Sequence, residues 1–200
     1  MRVCPPKQPE SPGFTQPQFL KKTGAGFTIP ELLMSVFIIV FLTAIAVPIW
    51  RAGETTLALD RAAHKLSQDI RKATELALRA QWFTCADPED AGDKISGYGV
   101  FFDQSVPDFY ILFAECNGNN VYDVGRDGIV GGEPIALESG IEISSVSPAS
   151  QTSIVFLPPT PQIFINDEQG GSTRITLSVA GNASRFKTIT ITNKGIIDID

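Results

Sequence analysis

The sequence predicts an α+β fold in which one long N-terminal helix packs on an antiparallel β-sheet domain. Residues 32–50 read LLMSVFIIVFLTAIAVPIW, nineteen residues without a charge. From Leu57 onward apolar residues recur at three- and four-residue spacing, the period of a helix with one buried stripe. From Gly97 the chain is a series of short β-rich runs separated by turn residues.

The charge-free run comes first in the argument. At about 1.5 Å rise per residue, it matches a hydrocarbon core of about 30 Å. Arg2, Lys7, Lys21 and Lys22 precede it and only Glu10 opposes them, so the positive-inside bias places the N-terminus in the cytoplasm and the following domain across the membrane. A secretory signal peptide fits badly, because the run is long, starts late and lacks an A-x-A-like site before Arg51. Residues 1–26 are rich in Pro, Gln, Gly and Ser without periodicity and read as a polar leader outside any core.

The stretch KKTGAGFTIPELL (21–33) puts a carboxylate, Glu31, at the mouth of this apolar run. An ionisable group at the edge of lipid is costly without a partner and is a functional candidate. A cut between Gly26 and Phe27 would create an amino group one turn from Glu31. In a stack of identical helices the Glu31 of one subunit would meet that amine on its neighbour, neutralising both charges and setting the register. A plain single-pass anchor with Glu31 among headgroups is the alternative.

These residues resemble the prepilin signature of type IV pilins and type II secretion pseudopilins: a basic leader, Gly26, Phe27-Thr-x-x-Glu31, then a hydrophobic helix. The resemblance implies cleavage by a prepilin peptidase after Gly26, methylation of the Phe27 amine, and Glu31 as the assembly carboxylate. It also implies a helix kink at Pro48. Pro30 stands where Leu or Ile is usual, but a first helical turn requires no N–H donor there.

Past the membrane the amphipathic pattern runs through Leu59, Ala63, Leu66, Ile70, Ala73, Ala77 and Ala80, predicting helix to about Phe83. Lys65 with Asp69, Arg71 with Glu75 and Glu75 with Arg79 stand four apart, each pair contributing about 0.2–0.5 kcal/mol. The expected organisation is a leader (1–26), a transmembrane and assembly helix (27–52), an amphipathic helix (53–84) and an extracytoplasmic β-rich domain (85–200).

In that domain, GYGVFF and DFYILFAE joined by DQSVP predict a hairpin. Further strands are expected at 134–137, 141–146, 153–157, 173–179, 186–192 and 196–199. YGVFF, an Asn/Asp/Gly loop, SIVFLPP and KTITITNKGII after a long helix resemble the GspH/FimT-type minor pseudopilins. That implies a minor subunit of a type II secretion pseudopilus or a type IV pilus. Its partners would be other pilin or pseudopilin subunits, the prepilin peptidase and the inner membrane, and the resemblance implies no cofactor. Some FimT-type members bind DNA through a Gly-Arg-x-Arg pattern near the last hairpin, where this chain has NKGIIDID.

Charge weighs against a nucleic-acid partner. After residue 84 six basic side chains face sixteen acidic ones, and DNA affinity draws on cations at phosphates. Only Arg174, Arg185, Lys187 and Lys194 form a local basic group. A membrane-anchored periplasmic binding domain unrelated to filaments is the third reading.

The loop ECNGNNVYDVGRDG (115–128) offers oxygen donors at Asn117, Asn119, Asp123 and Asp127, a spacing with some likeness to a calcium loop. Counted from Glu115, the twelfth position is Arg126 where a bidentate Glu belongs, so a structural turn of Asn and Gly is the better reading. Cys4 lies in the leader, leaving Cys85 and Cys116 to form one disulfide, worth about 3 kcal/mol, or to stay as buried thiols. Catalysis has little to build on: His64 is the only histidine, and no phosphate-cradling glycine loop opens a helix.

Overall fold

The computed structural model describes residues 27–85, 95–159 and 162–200, with residues 48–52 described by backbone alone. The fold is α+β, with one N-terminal apolar helix and two antiparallel sheets. The chain divides into two compact units at Ile45 and Ala46.

Helix α1 runs Ile29–Leu78 and continues through Pro48 and Gly53. It starts where the Thr28 carbonyl accepts the N–H groups of Glu31 and Leu32, both at 3.1 Å. In the first unit the described side chains of α1 are exposed all round. In the second unit α1 buries Leu59, Ala63, Leu66, Ile70, Ala73 and Ala77 of the three-four stripe expected from the sequence, with Ala62 beside them, whereas Ala80, beyond the end of the helix, is exposed.

The helix ends at Leu78, five residues before the expected Phe83. The Gln81 N–H returns to the Leu76 carbonyl at 3.3 Å and the Ala80 N–H to Ala77 at 3.0 Å, with Ala80 at φ 44°. These are the paired bonds of a left-handed helix stop, built on alanine rather than the usual glycine. Three contacts beyond it hold the exit in place. The buried Tyr98 hydroxyl donates to the Gln81 carbonyl at 2.7 Å. The Phe83 ring lies on Gly128, where a Cβ would come within 1.9 Å of it. Cys85 is bonded to Cys116, with Cα atoms 6.0 Å apart.

Strands β1 (Gly97–Asp103) and β2 (Phe109–Glu115) form the expected hairpin, with Val100 opposite Leu112. They are followed by β3 (Gly128–Ile129), β4 (Ile135–Ala136), β5 (Ile141–Ser147) and β6 (Gln151–Leu157). Then come β7 (Gln162–Ile165), β8 (Glu168–Gln169), β9 (Ser172–Val179), β10 (Asn182–Thr192) and β11 (Ile197–Ile199). The first sheet has the order β3-β2-β1-β6-β7-β8, with β4 also on β2, and the second has β11-β10-β9-β5. One sheet was expected; two form, and their inward faces meet the stripe of α1 in a single core. β3, β7 and β8 were not expected. The β7–β8 connection is a two-residue turn with Asn166 and Asp167 both at positive φ, the primed geometry that matches strand twist.

Polar contacts join α1 to the sheets around this core. The buried Tyr110 hydroxyl donates to Asp69. The Arg61 guanidinium grips Glu138 through Nε and Nη2, both at 3.0 Å. Lys187 Nζ lies 3.6 Å from Asp60. Of the three pairs expected along the helix, Glu75 with Arg79 forms, whereas Lys65 instead donates to the Ala136 carbonyl at 3.3 Å.

Candidate functional site

The first candidate site is the start of α1. With Thr28 at the cap, Ile29, Pro30 and Glu31 fill the first turn; the Glu31 N–H reaches the Thr28 carbonyl, and at position 30 a helix N–H would have no i−4 acceptor within the helix. Pro30 therefore forfeits no hydrogen bond there, and the Glu31 carboxylate stands at the end of the helix that favours negative charge. Phe27 is 75% exposed and Glu31 is exposed. Gly26, Lys21, Lys22 and the rest of the leader lie outside the described residues, as does the side chain of Pro48.

The segment Ile29–Val47 is long and apolar enough to cross a membrane by length and composition. Its two hydroxyls turn back on the helix: Ser35 donates to the Leu32 carbonyl at 2.9 Å and Thr43 to Ile39 at 2.7 Å. Both are thereby satisfied without water, as a segment leaving the aqueous phase requires. Glu31 is then the one ionisable side chain between Phe27 and Val47.

The second candidate is the loop after β2. The structure brings Asn117, Asn119, Asp123 and Asp127 together, but their oxygens serve the loop itself. Asn117 Oδ1 accepts the Asn119 N–H at 3.1 Å, and Asn119 Oδ1 accepts the Val121 N–H at 2.9 Å. Both Asn side-chain amides donate to Asp123 Oδ2, at 2.6 and 2.7 Å. Asp127 accepts the N–H of Cys116 through Oδ1 at 3.0 Å and that of Asp123 through Oδ2 at 2.7 Å. These four side chains are thus bonded within the loop and to the end of β2, while the buried Glu115 Oε2 and Asn120 Oδ1 have no partner; no cluster of three or more His, Cys, Asp or Glu suited to a metal occurs among the described residues.

Sequence reasoning passed over Glu115 except as a first ligand to count from. It is fully buried, and burial followed by the charge of Asp127 pushes its carboxyl up to about 7 against the pull of the loop N–H groups. The available signal was an acid closing the apolar run FYILFA beside a cysteine.

The basic residues near the last hairpin do not form one surface. Lys187 turns to Asp60, and Arg185 Nη1 donates to Thr55 at 3.0 Å and Thr56 at 3.4 Å, so both face α1. Arg174 and Lys194 are exposed. His64 is exposed as well, on the solvent side of α1.

Comparison of the chain with family models, curated proteins and solved structures finds no match. The functional reading therefore rests on the residues described above.

Proposed function

We propose that this chain is a minor pilin or pseudopilin, a non-catalytic building block of a type IV pilus or a type II secretion pseudopilus. The observation that carries the reading is the first half of α1. Fourteen large apolar side chains from Phe27 to Val47 each remain 45% or more exposed. Covering what remains exposed of them stabilises by about 1–2 kcal/mol per residue, on the order of 10–25 kcal/mol in all, so this segment demands lipid or other helices. Lipid alone leaves Glu31 without a partner; a bundle of processed subunits supplies one.

In this mechanism the peptidase cuts after Gly26 and the Phe27 amine becomes a cation at the helix start. While the subunit is stored in the inner membrane, the apolar segment rests in lipid with its N-terminus on the cytoplasmic side. On assembly, Glu31 of the incoming subunit meets the amine of the preceding one, removing two charges from an apolar bundle. The β domain is then carried on the outside of the filament. The acidic excess of that domain, together with Lys187 and Arg185 turned toward α1, favours protein partners over nucleic acid.

The test is Glu31→Ala, with Glu31→Val beside it, expressed with the other subunits of its machine. Both variants are expected to form the Cys85–Cys116 bond, read on a non-reducing gel, yet to be missing from sheared filaments. Incorporation of Glu31→Ala at the wild-type level would contradict the role given to the carboxylate.

A further inference from the structure

Glu115, the first position when the loop after β2 is counted as a calcium loop, has an oxygen to spare. It is fully buried, and its Oε1 accepts the N–H groups of Asn117 and Gly118 at 3.2 and 2.9 Å, so the carboxyl lies beneath the loop that follows. Its Oε2 is buried there without a hydrogen-bond partner. Such an oxygen is costly in either state: as a carboxylate it is repelled by the charge of Asp127, and as an acid its proton finds no acceptor. A cation bound between the two acids removes both costs.

We propose that residues 115–127 form a calcium site, with Glu115 and Asp127 as its charged ligands. Arg126 at the twelfth position spoke for a plain turn. The structure differs: Arg126 is exposed, and the thirteenth residue, Asp127, turns inward and is 3% exposed. Asp127 accepts the Cys116 N–H at 3.0 Å and the Asp123 N–H at 2.7 Å, which draws the ends of the loop together. A calcium loop turns sharply at its sixth position, usually on glycine. Here that residue is Asn120, at φ 61°, one of the few side chains that tolerate a left-handed backbone. Its Oδ1 is a second buried oxygen without a partner.

The remaining donors are neutral or peripheral. Asn117 and Asn119 hold the third and fifth positions, and each Oδ1 accepts one backbone N–H and keeps a second lone pair. Asp123 holds the ninth, where calcium loops often act through water. The acids do not gather into a cluster of three, so amide and carbonyl oxygens complete the set. Calcium, which takes about six to eight oxygens in flexible geometry, accepts such a mixture, whereas magnesium demands a near-ideal octahedron. The Cys85–Cys116 bond anchors the second residue of the loop. The site uses nothing at the start of α1, so it stands or falls apart from the filament reading.

Calcium chloride titrated calorimetrically into the chelator-stripped, full-length protein in detergent tests this. One site per chain is expected, with a dissociation constant of about 10⁻⁵–10⁻³ M, and magnesium chloride is expected to bind at least about tenfold more weakly. No calcium binding at about 10 mM, or magnesium binding as tight as calcium, would overturn the assignment. Glu115→Gln and Asp127→Asn are each expected to weaken binding about tenfold or more, while Glu133→Gln, an exposed acid outside the loop, leaves it unchanged. Equal weakening by all three would overturn the site in favour of diffuse charge attraction. Hydrogen exchange on the wild type does not depend on a variant folding. Calcium is expected to slow exchange of the Asn117, Gly118 and Asp123 amides about tenfold relative to chelator, and unchanged exchange at these amides would overturn the placement.

Discussion

Removing one oxygen from Tyr110 probes how α1 is held to the first sheet. Tyr110 is 1% exposed, its ring stacks on Phe102 at 6.0 Å, and its hydroxyl donates to the carboxylate of Asp69. Tyr110→Phe keeps the ring and its packing, so the loss reports the hydrogen bond alone. A bond to a charged partner contributes about 1.5–3 kcal/mol, and the half-buried Asp69 regains water, which places the cost near 1.5 kcal/mol. With a urea slope of about 2 kcal/mol per molar, the midpoint falls by about 0.7 M. Burial first and Asp69 second raise the Tyr110 phenol far above its usual range. The contribution is therefore full below the ordinary tyrosine value of about 10 and is lost only as pH rises beyond it. The assay is urea unfolding of the full chain in detergent, repeated for Asp69→Asn and for the double variant. A coupling of about 1 kcal/mol or more is expected, and a coupling below about 0.3 kcal/mol would refute the latch between helix and sheet.

Other perturbations probe the rest of the β domain. Gly99→Ala places a Cβ 2.6 Å from the Phe113 ring and 2.7 Å from the Ile154 carbonyl oxygen, in the middle of the first sheet. Such overpacking costs about 1–3 kcal/mol and is read as a lower unfolding midpoint. Ala80→Gly relieves a left-handed alanine that costs about 1–2 kcal/mol, against about 0.4–1 kcal/mol of added chain entropy, so a small gain in stability is expected on the same urea curve. Reducing the Cys85–Cys116 bond frees a loop with a sequence separation of 31 and is expected to lower stability by about 3 kcal/mol. Limited proteolysis should then cut in the segment after α1 before it cuts in β1 or β6.

Much of this fold was legible because its signals are local. The charge-free run and the three-four stripe of α1 are periodicities that a neighbourhood of residues decides by itself, and so is the β1–β2 hairpin. The end of the helix was not local. Arg79, Ala80, Gln81, Trp82 and Phe83 are all compatible with helix, and the stop depends on Tyr98, Gly128 and Cys116 reaching back from the sheet. β7 escaped notice because Pro158, Pro159 and Pro161 precede it and read as a breaker, although Asn166-Asp167 carried the turn chemistry. The division into two sheets rests on strand order, which distant pairings decide. The acidic loop shows the same limit: its donors were visible in the sequence, but that they bind one another, with Glu115 beneath, required the chain to be folded.

The account depends most on a free amine at Phe27 standing beside Glu31. Intact-mass measurement of the native, membrane-extracted protein tests that directly. The expected species begins at Phe27, lacks Met1 through Gly26 and carries one methyl group; a chain that retains the leader would contradict the account.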